Sequence, residues 1–225
     1  MEGTLITKKD PAFPRALEHL DKIWVAGNKD LSEKARVAII GSRVCKQKRY
    51  LDIAFNLARD LTARGLTVVS GGARGIDTAA HKGALKAETG QNVVVLGTGL
   101  KRPYPSQNKR LFLDIAYSKN GLILSQFNLQ NRPRRDRFQK RNETIAALAD
   151  VIVVVYAQRR SGTLNTVRHA RRLATPVVAL QGSPGCDQAI SEGAIAAESS
   201  TQLLQHLLPL AHEEAYGCKV GFHFP

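Results

Sequence analysis

The sequence predicts an α/β fold whose mostly parallel sheet is doubly wound, with helices on both faces. Short apolar runs recur along the chain, β-branched or leucine-rich and without polar alternation, as expected of strands covered on both sides. Stretches of helical periodicity alternate with these runs, the order that builds a parallel sheet. Glycine turns follow several of the runs, where a strand hands over to a helix.

Residues 1–35 read as an N-terminal extension that packs on the core. In it Pro11, Phe13, Pro14, Leu17 and Leu20 mark a short helix, and Ile23–Ala26 an edge strand. The core spans residues 36–200. Its strands are Val37–Ile40, Leu66–Val69, Val93–Leu96, Leu122–Leu124, Val151–Val155 and Val177–Leu180. Between the first two, Tyr50, Ala54, Leu57, Ala58 and Leu61 fall on one helical stripe, and Gly65 ends that helix. Similar helices fit Asp77–Lys86, Asn108–Tyr117, Arg141–Ala149 and Thr163–Leu173. Residues 201–225 offer one helix, Leu203–Leu208, and then an irregular tail ending Gly221-Phe222-His223-Phe224-Pro225. No repeat or low-complexity linker interrupts the pattern.

The length, 225 residues, suits one sizeable α/β core. Charge is the unusual property: 33 Lys plus Arg face 19 Asp plus Glu, a net +14 at pH 7. That excess points to a polyanionic partner. Val151–Val155, the longest strongly apolar run, is far too short to span a bilayer, and Met1–Asp10 is polar, so no membrane role is expected. Cys45, Cys186 and Cys218 have neither zinc-ligand spacing nor a disulfide pattern, which fits a reducing, cytoplasmic setting. His19, His169, His206, His212 and His223 show no metal spacing, and no cofactor is expected.

A doubly wound sheet binds ligands at the carboxyl ends of its strands. Gly41-Ser42-Arg43 follows the first core strand; glycine lets backbone approach an anion, and Arg43 can clamp phosphate. Gly41 alone is better explained by a tight strand-to-helix turn. Ser70-Gly71-Gly72-Ala73-Arg74-Gly75-Ile76-Asp77 follows the second strand and reads as an anion cradle of amides plus the Ser70 hydroxyl. It matches neither a Walker A loop nor the dinucleotide fingerprint. Ser161-Gly162-Thr163 forms a third such loop, with Arg159 and Arg160 before it and Arg168, Arg171 and Arg172 on the helix after it.

The densest basic segment runs from Asn131 to Asn142 and reads as a loop entering a helix. Its cations, Lys140 and Arg141 among them, can track a phosphate backbone. Phe138 serves either as a ring that stacks on a base or as a core anchor for the helix. Asp77 and His81 lie one helical turn apart, and with Ser70 they could be drawn as a hydrolase triad. No nucleophile elbow accompanies them, so Asp77 is expected to support the helix start and the glycine loop, His81 to pack or hydrogen-bond there, and no catalytic residue is expected.

These motifs resemble the DprA/Smf family of bacterial DNA-processing proteins. The resemblance rests on Val37–Arg43, on Ser70–Asp77 with Ala80-His81, and on Tyr104-Pro105 with Asn108. It continues through Phe138 with Arg141-Asn142, Ser161–Thr163 with Thr166 and Ala170, and a late loop at Gly185–Asp187, Ile190 and Gly193-Ala194. It covers about Pro11 to Ala194 in family order. It implies an extended Rossmann-like domain that binds single-stranded DNA without catalysis, dimerises, and acts in DNA uptake or recombination with a RecA-type recombinase. Carried over by position, the DNA-binding residues are Gly41, Ser42, Arg43, Gly71, Gly72, Arg74, Phe138, Lys140, Arg141 and Asn142, with Ser161, Gly162 and Thr163 in the same pocket. Two positions depart from the family pattern: Gln126 replaces an acidic residue and Gln139 a proline. Neither the family's N-terminal helical domain nor its C-terminal winged helix is expected in this sequence.

The competing reading is a nucleotide sensor or a hydrolase of the LOG phosphoribohydrolase type. Those enzymes carry a glutamate after their glycine loop; Leu164-Asn165-Thr166 stands in the corresponding place here.

Overall fold

The computed structural model describes residues 1–30 and 34–209. The tail at Gly221–Pro225, with Cys218, His212 and His223, lies outside the described residues.

Among the described residues nine strands form one sheet, in the order β1-β2-β6-β5-β4-β3-β7-β8-β9. The N-terminal extension supplies β1 (Thr4–Thr7), a 3₁₀ turn at Arg15–Leu17, and β2 (Lys22–Gly27). The six expected core strands follow as β3 (Arg36–Gly41), β4 (Thr67–Ser70), β5 (Asn92–Val95), β6 (Gly121–Ser125), β7 (Val151–Tyr156) and β8 (Val177–Leu180). A short β9 (Ile195–Ala197) closes the far side. From β6 through β9 every pairing is parallel, while β1 and β2 join antiparallel.

Two strand expectations need correction. Ile23–Ala26 is not an edge strand: β2 lies between β1 and β6, and β1 is the edge. β1 escaped notice because Ile6 is its one buried residue, in a stretch with no apolar run. The late family motif is not a loop either. Residues Pro184–Ser191 form a helix, with Pro184 in its first turn and Asp187 near its N-terminus, both favourable there. Eight residues are too few for periodicity to announce it.

The helices are α1 (Lys48–Ala63), α2 (Ile76–Ala84), α3 (Lys109–Tyr117), α4 (Arg135–Leu148), α5 (Gly162–Arg172), α6 (Pro184–Ser191) and α7 (Ser200–Leu207). α4 begins six residues earlier than its apolar pattern suggests. Its first two turns carry charge instead of apolar periodicity. Pro133 precedes the cap residue Arg134, and Asp136 sits in the first turn, where the helix dipole favours a carboxylate.

Side-chain alternation sorts the helices onto two faces. Val37 and Ile39 of β3 point into a cluster with Leu57 and Leu61 of α1, Ile76 and Ala80 of α2, and Leu203 of α7. On that same face Val94 of β5 and Ile123 of β6 meet Phe112 and Ile115 of α3. Ala38 and Ile40 point the other way, toward Ile145 of α4, Leu164 of α5 and Cys186 of α6. Phe13 and Leu17 of the N-terminal extension join this second cluster. Each fully buried large side chain contributes about 1.5–3 kcal/mol relative to exposure. Arg36 fastens the start of β3 to that of β7, its amide 2.7 Å and its guanidinium 3.3 Å from the Asp150 carboxylate.

The chain order places the ligand crevice. From β3 the chain proceeds to β4, β5 and β6 on one side, then crosses to β7, β8 and β9 on the other. The carboxyl ends of β3 and β7 therefore flank a topological switch point, where two helices leave in opposite directions and open a crevice.

Candidate nucleic-acid interface

A cleft of about 690 Å³ opens at that switch point. Its walls come from the turn after β3 (Gly41, Ser42, Arg43), the start of α2 (Ala73, Asp77), the first turns of α4, and the loop entering α5 (Arg160 to Thr163). Three of these four segments, those after β3, β4 and β7, meet because β4, β3 and β7 are neighbours in the sheet.

The turn after β3 is built for close packing. A Cβ on Gly41 would lie 2.5 Å from Ile76 Cγ1, so glycine lets α2 sit against the strand end. The Ser42 amide donates to Tyr156 O at 2.8 Å, and its hydroxyl accepts from the Gln158 amide at 3.0 Å. Ser42 therefore ties the two glycine turns across the crevice and is itself buried. Arg43 is exposed at the mouth, its guanidinium carbon 5.0 Å from the centre of the Phe138 ring.

The loop Ser70–Gly75 differs from its sequence reading. Ser70 is fully buried, donates to Ile39 O at 2.6 Å and does not line the cleft. The Asp77 carboxylate accepts from the Ala73 amide at 3.2 Å, so a side chain of the protein already occupies this nest. Gly72 has φ +68°, and a Cβ there would lie 2.7 Å from Phe112 Cε1. Asn108 closes the loop from outside, donating to Gly72 O at 2.9 Å and to the Thr78 hydroxyl at 2.7 Å. The loop is a prop under the cleft, and Arg74 is its exposed cation, on the wall of a smaller adjoining cavity.

Arg141 is also a strut. It is 5% exposed, and Nη1 donates to Gly71 O and, at 3.1 Å, to Val95 O. Burial pushes its pKa down to about 10, against the opposing pull of the Asp77 charge, so it remains a cation. Burial likewise raises the Asp77 carboxyl above its usual range, with Arg141 acting in the opposite direction. His81 lies deeper, its Nδ1 2.7 Å from Asn92 Oδ1, and burial drops its pKa to about 4. The drawn triad therefore does not exist: Ser70 and His81 are engaged with Ile39 and Asn92.

The loop into α5 is the open one. Gly162 is exposed, and a Cβ on it would meet nothing within 4 Å. The amides of Gly162 and Thr163 belong to the helix first turn, which lacks intrahelical acceptors and carries the positive end of the dipole. Asn142 holds this loop by donating to Gly162 O at 3.2 Å, while its oxygen accepts from Arg141 Nε at 3.1 Å. The Ser161 hydroxyl is buried without a partner beside these amides.

Phe138 is a packing anchor with one surface on the cleft. Its ring packs on Gly97, where a Cβ would lie 2.5 Å from Phe138 Cδ1, and its other surface lines the cleft. Tyr104, exposed, stands 5.7 Å from it, centre to centre. Lys140 is exposed on α4 but outside the cleft lining. Tyr104, Gln139, Gln158 and Asn165 line the cleft without having been picked out as site residues. For Tyr104 a signal existed: an aromatic between two prolines in a loop after a strand.

The charge of the cleft is one-sided. Arg43, Arg134, Arg135 and Arg160 are exposed in its lining, and its one carboxylate, Asp77, is buried. Among the described residues no group of three His, Cys, Asp or Glu is placed to hold a metal ion. No helix there is long and apolar enough to cross a membrane. Burial lifts the Cys186 thiol to about 11, which leaves it unreactive.

A family model described as DNA recombination-mediator protein A matches residues 4–208. The chain belongs to this family. Protein Smf of Synechocystis sp. is 35% identical over 218 residues, covering 90% of this chain and 53% of that protein. The chain spans about half the length of curated family relatives such as this one. The X-ray structure of DNA processing protein A from Streptococcus pneumoniae superposes with a TM-score of 0.81 at 33% identity, over 91% of this chain and 74% of that one. The Helicobacter pylori protein, whose structure is described in terms of its single-stranded DNA binding mode, gives 0.82 at 27% identity, over 93% and 97%. A molybdenum cofactor binding protein from Rippkaea orientalis, at 17% identity and a TM-score of 0.58, shares the fold alone.

Proposed function

We propose that the cleft holds a segment of single-stranded DNA and that the protein works by binding, without a chemical step. One observation carries this reading: the first-turn amides of Gly162 and Thr163, four exposed arginines and the Phe138 ring share one crevice whose lining holds no exposed carboxylate. Helix amides and guanidiniums suit phosphate. A half-buried ring suits the face of any base, which gives affinity without sequence preference. The cleft's open mouth suits a chain that enters and leaves.

The same reading places the protein in DNA uptake or recombination. A RecA-type recombinase as partner, a homodimer and a cytoplasmic setting belong to the proposal through the family, not through any surface described above. A mononucleotide fits the α5 loop alone, but Leu164-Asn165-Thr166 after it supplies no glutamate to act on a sugar.

The test is a fluorescence titration with labelled single-stranded oligonucleotide, competed by duplex DNA and by AMP. Single strands should compete best, and the log–log salt slope should be about 0.7 for each phosphate neutralised. Tight binding of AMP with no competition by single strands would replace this reading with a nucleotide sensor.

A further inference from the structure

A basic surface continues outward from the cleft along two loops of which the cleft reading uses Arg134 but not Lys101, Arg102 or Arg132. The loop after β5 runs through Lys101 and Arg102 to Tyr104, and the loop after β6 runs through Arg132 and Pro133 to Arg134. Tyr104, Pro133 and Arg134 are cleft residues, so both loops start in its wall. They are joined to each other. The Gly99 amide donates to Asn131 O at 2.9 Å and the Lys101 amide to Leu129 O at 3.0 Å. Arg102 Nε donates to Gln130 Oε1 at 3.2 Å, and Arg137 Nη1 to Arg132 O at 2.6 Å. The pair forms a stiff rim that holds its cations outward.

The rim is short of counter-charge. Residues 97–136 contain eight Lys or Arg and two acids, Asp114, which pairs with Arg110 on α3, and Asp136, which pairs with Arg134. Lys101, Arg102 and Arg132 are exposed and make no ion pair among the described residues. Such a surplus is unfavourable for the isolated protein and favourable beside a polyanion. The other candidate occupant, a protein, needs an apolar anchor. Among the described residues the exposed large hydrophobics are Leu5, Val44, Tyr104 and Tyr117, and of these the two rim loops contain Tyr104 alone.

We infer that the Lys101–Arg102–Arg132 rim is a second segment of the nucleic-acid path, carrying the phosphates of a single strand as it leaves the cleft past Tyr104. The inference rests on the proposed single-strand reading of the cleft. It adds that the footprint is longer than the cleft, and that the rim acts only on strands long enough to reach it.

The test compares thymidine oligonucleotides of about 4 and about 16 nucleotides, the limits of common single-strand site sizes, at low ionic strength. Proteins compared are the unaltered chain, Arg43→Ala, and the double variant Lys101→Ala with Arg102→Ala, whose side chains are exposed and whose loss leaves the backbone bonds of the rim intact. For the double variant the short oligonucleotide should bind as before. The long one should bind more weakly, and its log–log salt slope should fall by about 1.4, about 0.7 for each cation removed. An unchanged slope for the long oligonucleotide would overturn the rim, as would an equal loss for both lengths. Arg43→Ala tests the cleft separately: it should weaken both lengths, and if it weakens neither, the cleft reading fails whatever the rim does.

Discussion

Arg141 and Asp77 meet in the space that a side chain on Gly71 would take: a Cβ on that glycine would lie 2.6 Å from Arg141 Cζ and 2.9 Å from Asp77 Oδ2. Both groups are buried; burial disfavours the ionised form of each, and each acts on the other in the opposite direction. Arg141→Ala would strand the Asp77 carboxylate and leave the carbonyls of Gly71 and Val95 without their donor. Breaking a buried charge pair costs about 3–5 kcal/mol. For a chain of this size that lowers the melting temperature by roughly 6–20 °C. Thermal unfolding checks this, and a shift under about 2 °C would return Arg141 to the list of DNA ligands.

Arg43 should behave in the opposite way. It is exposed and its recorded contact is with the Phe138 ring. Arg43→Ala is expected to move the melting temperature by no more than about 2 °C, as for other surface changes. The salt slope of single-strand binding should drop by about 0.7. Measuring both quantities on both arginine variants separates the strut from the ligand.

Glycines of the crevice divide in the same manner. Gly72→Ala would place a methyl 2.7 Å from Phe112 and 2.9 Å from Val94 Cγ1, at a φ of +68°. Overpacking of that kind costs about 1–3 kcal/mol. Gly162→Ala meets no atom and sits in a helix, so it should stabilise the fold by about 0.4–1 kcal/mol. The same methyl would crowd an anion approaching the α5 amides. Gly162→Ala is therefore expected to raise the melting temperature while weakening DNA binding. Unchanged affinity would show that phosphate does not come to this loop.

Phe138→Leu tests the ring apart from its packing. Leucine keeps apolar contact with Gly97 but has no face for a base. Single-strand affinity should fall by about 1–3 kcal/mol, the worth of one base–aromatic stack. Stability should change far less than for Phe138→Ala, which also empties the space over Gly97.

The contrast among these residues explains what the sequence can disclose. Val151–Val155 and its fellow runs announce their strands because burial on both faces demands unbroken apolar sequence. The positions of Arg43 and Ser161–Thr163 were legible for a similar reason: a strand end followed by glycine and a helix must lie at the crevice. Arg141 looked like Arg43 because both are arginines in basic surroundings. What separates them is the depth of the crevice floor, which depends on Gly71 and Val95 from two other strands. That Asp77 supports the loop Ser70–Gly75 was legible from its place at the helix start; that its carboxylate takes the Ala73 amide, where an anion was expected, was not. β1 was invisible because one buried residue, Ile6, has no period.

Acid should expose the buried histidine. His81 has a pKa of about 4 in the fold against 6.5 for a free histidine. Above 6.5 both folded and unfolded chains are neutral at this site and stability does not depend on it. Between 6.5 and about 4 the unfolded chain binds a proton that the folded chain refuses, so stability falls as pH falls. The slope is about 1.4 kcal/mol per pH unit, and the whole window amounts to about 3 kcal/mol. Asp77 acts with the opposite sign: its raised pKa lets the folded chain take a proton before the unfolded one does, so this group adds stability as pH drops through that value. The two are separated by His81→Gln, which removes the histidine proton and leaves Asp77 in place. The difference in unfolding free energy between the unaltered chain and His81→Gln should shrink steadily as pH falls below 6.5. A difference that stays constant down to about pH 4 would mean that His81 titrates alike in both states, and that its place beside Asn92 exacts no desolvation cost.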